Sequence, residues 1–228
     1  MTELKYTWSY SALDLFKQCP HKYYRLKIKK DIIEPQSEQI LYGLAMHKAA
    51  EEYVRDNKPL PPEFSSYKDM LDKLRDMEGT KLVEYKMGLT KSLEPCGFFD
   101  KNVWWRGIAD LIVLQGPKAR MVDYKTGKSS KNADTKQLEL LSLALFKHFP
   151  EVEEVKGGLL FVVAKDFIKG EYNVNSSPIY WQRWLADTAR LEKALELGVW
   201  NPRPNFTCQK WCRVTDCSHN GRDSRSRY

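Results

Sequence analysis

Residues Val103–Gln137 read VWWRGIADLIVLQGPKARMVDYKTGKSSKNADTKQ, and this stretch decides the fold. Two runs, 103–114 and 120–124, are rich in β-branched and aromatic residues, which suit a pleated, half-buried surface. Gln115-Gly116-Pro117-Lys118 between them is a turn signal, so the two runs predict a hairpin. Each run carries one acid where a strand would continue apolar: Asp110 in the first, Asp123 in the second. A carboxylate taken out of water without a partner is costly, so each acid needs hydrogen bonds, a cation or a metal. Two carboxylates from adjacent strands offer hard oxygen ligands suited to Mg²⁺ or Mn²⁺. Lys125 follows Asp123 by two residues and therefore shares its face of the strand. It could hold a water or stabilise phosphate charge there. The plainer alternative is an ordinary salt bridge at a strand end.

Working outward, 158–164 (GLLFVVA) is a continuous apolar run that suits a strand buried on both faces, and 170–174 could pair with it. Helical spacing is visible at 40–56, 66–88, 134–149 and 179–197. A first helix starts at Ser9–Phe16, with Ser11 and Asp14 as a capping arrangement, and stops near Cys19-Pro20. His47 lies on or beside the apolar face of the 40–56 helix, where it is either a core histidine or a metal ligand. Glu84 falls near the end of the helix predicted over 66–88, where an acid is ordinarily a solvated charge; only the family resemblance given below implies a place near the site. Gln137 falls in the first turn of the 134–149 helix, capped by Asp134 or Thr135, where it could face a phosphate or orient Lys125, or be an ordinary surface amide.

These motifs resemble the PD-(D/E)xK nucleases, and in particular their RecB-like exonuclease branch. The resemblance rests on Gly107-Ile-Ala-Asp110, on Val122-Asp123-Tyr124-Lys125-Thr126-Gly127, on His47 upstream and on Gln137 downstream. Leu141 stands where the branch's Gln-x-x-x-Tyr motif has tyrosine. The likeness implies an α/β fold: a restriction-endonuclease-like αβββαβ core with a central mixed sheet and added N- and C-terminal helices. It implies one nuclease domain over 1–228, with a helical part at 1–95, a catalytic core at 96–175, and a C-terminal helix with a cysteine-rich tail at 176–228. It implies that Asp110, Asp123, His47 and the Tyr124 carbonyl hold one or two Mg²⁺ or Mn²⁺ ions, with Lys125 and Gln137 completing the catalytic set. The expected reaction is phosphodiester hydrolysis of DNA with free ends by a metal-activated water. A structure- or sequence-specific endonuclease and an inactive DNA-binding module are the alternatives.

Cys208, Cys212 and Cys217 crowd into ten residues, and thiolates so placed favour soft or borderline metals. Cys19 is the natural fourth ligand, with Cys96 its competitor and His219 a substitute. Cys19-Pro20-His21-Lys22-Tyr23 together with the three late cysteines resembles the 4Fe-4S staple of AddB-type nucleases, with zinc as the alternative. The Cys-x₃-Cys-x₄-Cys spacing departs by one residue from the usual Cys-x₂-Cys-x₅-Cys.

Composition fits this reading. The charge balance is 37 − 30 = +7, which suits a polyanionic partner, and 42% hydrophobic residues supply a core. Seven tryptophans could supply base-stacking platforms, with core packing the expected role of most of the aromatics. Met1–Tyr10 has no apolar signal-peptide core and no run is long enough for a membrane span, so an intracellular, cytoplasmic enzyme with reduced cysteines is expected. A phage- or mobile-element-encoded recombination enzyme is compatible with this; a protein partner is not readable. Arg222, Arg225 and Arg227 mark a basic tail, expected to be mobile.

Overall fold

Ser9 accepts a hydrogen bond from Ala12 N–H and so caps helix α1, Tyr10–Gln18; the expected Ser11–Asp14 cap is absent, and Asp14 accepts from Gln18 instead. This is a computed structural model, and it describes residues 6–221. The arginine-rich tail lies outside them. Cys19 is extended, which ends α1, and its sulfur then accepts from Lys22 N–H to start α2, Pro20–Tyr23. A π-helical turn follows at Tyr24–Ile28. After a coil, Ser37 caps α3, Glu38–Asp56, which ends on Asn57 in the left-handed conformation.

The region expected as one helix over 66–88 divides. It gives α4, Lys68–Arg75, and then strand β1, Thr80–Leu89. Gly79, at φ 121°, makes the break, at a conformation that only glycine adopts readily. The remaining elements are β2 Pro95–Cys96, β3 Trp105–Gln115, β4 Lys118–Lys125, α5 Lys136–His148, β5 Glu154–Phe161, β6 Asp166–Asn173 and α6 Ser177–Leu197. Gly116, at φ 61°, turns β3 into β4. At the head of α5, Thr135 occupies the cap position without a side-chain hydrogen bond, and Asp134 accepts from Lys136 N–H.

The six strands form one sheet in the order β2-β1-β3-β4-β5-β6. β4 and β5 are parallel, with α5 as their crossover, and the other pairs are antiparallel. The architecture is therefore α/β with a mixed sheet and flanking helices, and the order α4-β1-β3-β4-α5-β5 is the αβββαβ series. Met46, Ala50 and Tyr53 of α3 and Leu71 and Leu74 of α4 pack with Leu111, Val113, Val122, Tyr124 and Leu160 of the sheet. α5 is apolar nearly all round, with Leu138 through Phe146 buried except Glu139. Leu141 meets Gly107, where a Cβ would approach its side chain to 2.9 Å. The leucine at this position is thus a core residue.

The described chain clusters into two compact units. One is Gln36–Trp181 and holds the sheet; the other comprises 6–35 and 182–221. In the second unit Trp8 stacks on Trp184, and Phe16, Tyr23 and Tyr24 surround Trp200. Among the described residues no helix is long and apolar enough to cross a membrane.

Candidate metal centre and cysteine site

β3 and β4 pair regularly up to Leu111–Val122, and beyond that the acid of each strand is buried, Asp110 at 8% exposure and Asp123 at 3%. Asp110 Oδ2 accepts from the Tyr124 backbone N–H at 2.7 Å, a bond that ties the two strands together where the ladder ends. α3 brings His47 over the same point. Its Nε2 lies 3.0 Å from the Tyr124 carbonyl and its Nδ1 lies 3.4 Å from Asp110 Oδ2. A carbonyl can only accept, so in the neutral ring Nε2 carries the proton and Nδ1 faces the carboxylate. Burial alone would lower the His47 pKa, but the hydrogen bond and charge of Asp110 outweigh it, and the net shift is upward.

Glu84 is the residue that sequence reasoning misplaced. It sits in β1 between the pairs Val83–Leu111 and Tyr85–Ala109, and so stands opposite Asp110. Its backbone is left-handed, at φ 51°, an unfavourable conformation for a glutamate within a strand. Among the described residues, His47, Glu84 and Asp110 alone bring three such ligand atoms within 4.8 Å of one another. Burial, then the charge of Asp110, pushes the Glu84 pKa up to about 7. The signal that could have found it was Gly79, which closes one element and leaves Lys81–Leu89 to be read as a strand with an acid in its middle.

Asp123 has a second environment. Lys125 Nζ lies 2.6 Å from its Oδ2, and the same ammonium donates to Gln137 Oε1 at 2.9 Å. Asp123 Oδ2 is buried against that ammonium. Burial, followed by repulsion from Asp110, raises the Asp123 pKa despite Lys125. The donor set therefore fits a hard divalent cation: two carboxylates and one imidazole converge, Asp123 lies buried on the neighbouring strand, and burial, followed by the charge of Asp110, holds both Glu84 and Asp123 above their ordinary pKa. A bound cation would relieve that repulsion.

In the other unit Cys19, Cys208, Cys212 and Cys217 line one pocket with His21, Lys22, Arg203 and His219. Backbone N–H groups point at two of the sulfurs. Lys22 and Arg203 donate to Cys19, and Asn205 donates to Cys208. Cys96 is in β2, paired with Gly88, and belongs to the sheet.

A family model described as the PD-(D/E)XK nuclease superfamily matches residues 7–81 and 65–217. The crystal structure of SSO0001 resembles this chain with a TM-score of 0.53 and 14% identity, over 96% of this chain and 89% of that one. A protein named "Putative exonuclease" from Eubacterium rectale has a TM-score of 0.51 and 12% identity, over 96% of this chain and 87% of that one. At such identities the likeness shows the shared fold. No curated protein matched the chain.

Proposed function

This chain belongs to the PD-(D/E)XK nuclease superfamily, and we propose that it is a metal-dependent DNA exonuclease acting as a single nuclease domain. The observation that carries the reading is the meeting of His47, Glu84 and Asp110 beside the Asp123–Lys125–Gln137 chain. The three carboxylates, His47 and the Tyr124 carbonyl would hold one or two Mg²⁺ or Mn²⁺ ions. A divalent ion there supplies a bound water of lowered pKa and neutralises charge on the scissile phosphate.

The chain's own residues do the rest. Asp110 fixes the Tyr124 backbone, and through it the spacing of the two strands at the reacting centre. Gln137 holds the Lys125 ammonium by its amide oxygen, so the cation is aimed rather than free to rotate. Lys125 orients the attacking water or balances the charge that develops on phosphate. The side chains supply no nucleophile for a covalent intermediate.

Preference for free ends is supported by the His47 and Gln137 motifs and by the fold shared with a protein named as an exonuclease. Membership of the nuclease superfamily supports DNA as the substrate class.

The same proposal gives the cysteine pocket a structural 4Fe-4S cluster. The four thiols fit such a group chemically, and Lys22 and Arg203 suit its thiolate charge. Tetrahedral zinc on the same four thiols is the alternative.

The deciding experiment is a digestion time course on end-labelled linear and covalently closed circular DNA, single- and double-stranded, with Mg²⁺ or Mn²⁺. Linear substrates should be degraded progressively and circles spared, EDTA should stop the reaction, and folded Asp123→Ala should be inactive. Equal cutting of circles would make the enzyme an endonuclease. Full activity in Asp123→Ala would remove the site from the mechanism.

A further inference from the structure

Phe98 and Phe99 lie in the loop between β2 and β3 and meet edge to face at 5.0 Å. Phe99 is 79% exposed, so its ring is open to solvent. Lys86 Nζ lies 6.0 Å from the Phe98 ring centre and 5.9 Å from that of Phe99, and the Arg106 guanidinium lies 5.1 Å from Phe98. Among the described residues neither cation has an acidic partner within ion-pair distance. Two unneutralised cations flanking an exposed ring present both features that single-stranded nucleic acid binds: a π-face for a base and positive charge for the neighbouring phosphates.

The position is as informative as the chemistry. Lys86 follows Glu84 by two residues on β1, and Arg106 precedes Asp110 by four on β3. The strands are antiparallel, with Arg106 paired to Gly88, so both cations lie on the same side of the acids, toward β2. At about 3.4 Å per residue the cluster lies roughly 7–13 Å along the sheet from the carboxylates. That is the reach of the nucleotides next to a phosphate held at the metal centre.

We infer that Phe98, Phe99, Lys86 and Arg106 form a stacking subsite for unpaired bases of a single DNA strand whose end is being cut. The inference rests on the nuclease reading and adds the strand type and the residues that receive it. The open face of Phe99 takes a base, while Lys86 and Arg106 hold the ring pair from the sheet side and meet the flanking phosphates. A base inside an intact duplex cannot offer its face to the ring, so the subsite selects unpaired DNA.

The test is fluorescence anisotropy in EDTA with a labelled oligothymidylate of about a dozen nucleotides and with a fully paired duplex annealed from two strands. Phe99→Ala should weaken the single strand at least about fivefold and leave the duplex unchanged. Phe99→Trp should restore binding. Lys86→Gln should reduce the slope of log affinity against log salt by about 0.7, the value of one single-strand phosphate contact. Circular dichroism checks that each variant is folded, which the exposure of Phe99 favours. Unchanged single-strand affinity in Phe99→Ala, or equal weakness of the alanine and tryptophan variants, would overturn the subsite. Binding in EDTA needs no cleavage, so failure of the subsite and failure of the nuclease reading remain separately visible.

Discussion

Glu84 and Asp110 stand opposite each other on adjacent antiparallel strands, and Glu84 does so at a left-handed φ of 51°. Like charges in that relation are destabilising, and the backbone conformation adds strain. Both costs are intelligible if a cation is the third member of the pair.

Replacing Glu84 should therefore separate stability from activity. Glu84→Gln removes the repelling charge, and Glu84→Gly also removes the strain at a positive φ. Each should lower Mg²⁺-dependent hydrolysis by about ten- to a hundredfold, as expected for loss of a metal-site residue. Neither should lower the melting temperature of the metal-free protein. A glutamine variant that cuts DNA at the wild-type rate would exclude Glu84 from the metal centre.

The pH dependence of metal-free stability follows from the same carboxylate. The folded-state pKa of Glu84, about 7, lies above its ordinary 4.5, so its protonated form is the one that folding favours. Its contribution is full below about pH 4.5 and is lost as pH rises through about 7. The upward shifts of Asp123 and His47 have the same sign. In EDTA, Glu84→Gln should gain over wild type as pH rises, by roughly 2–4 °C at pH 8 and almost nothing at pH 4.5, where about 1 kcal/mol moves a chain of this size by that much. Thermal melts at both pH values check it; a gain confined to low pH would reverse the sign and reject the assignment. Added Mg²⁺ or Mn²⁺ should stabilise the wild type more at pH 8 than at pH 6, because protons compete with the ion.

Gln137 acts through Lys125, to which it is bonded at 2.9 Å. Gln137→Leu should lower kcat about tenfold or more with KM nearly unchanged, since a mis-aimed catalytic cation affects the reacting state more than substrate binding. Gln137→Glu, which can still accept from the ammonium, should recover part of the loss. A variant altered only in KM would assign Gln137 to DNA contact instead.

The cysteines predict a metal. Protein purified without oxygen should be brown and contain about four iron atoms per chain. Cys19→Ala should lose the iron and melt several degrees lower, whereas Cys96→Ala, a change within β2, should keep the iron. Colourless protein with one zinc per chain would replace the cluster by zinc, and metal-free wild type would refute the site.

The sequence by itself determined the hairpin of β3 and β4, the buried β5 strand, the helix over 134–149 between them, and the two acids that interrupt apolar runs. These are local signals: period, turn residues and an acid out of place are all written in adjacent positions. It also singled out His47, Lys125, Gln137 and Cys19, but each had an ordinary alternative, because no spacing along the chain says which residues meet in space. Only the tertiary structure decided those. It put His47 of α3 against Asp110, closed Lys125 onto both Asp123 and Gln137, and gathered Cys19 with the late cysteines while leaving Cys96 in the sheet. It also recovered Glu84, which helical spacing had hidden. Apolar residues three or four apart satisfied a helix through Tyr85, but pairing with β3 made Lys81–Leu89 a strand, since ladder hydrogen bonds and burial against a neighbour outweigh local preference.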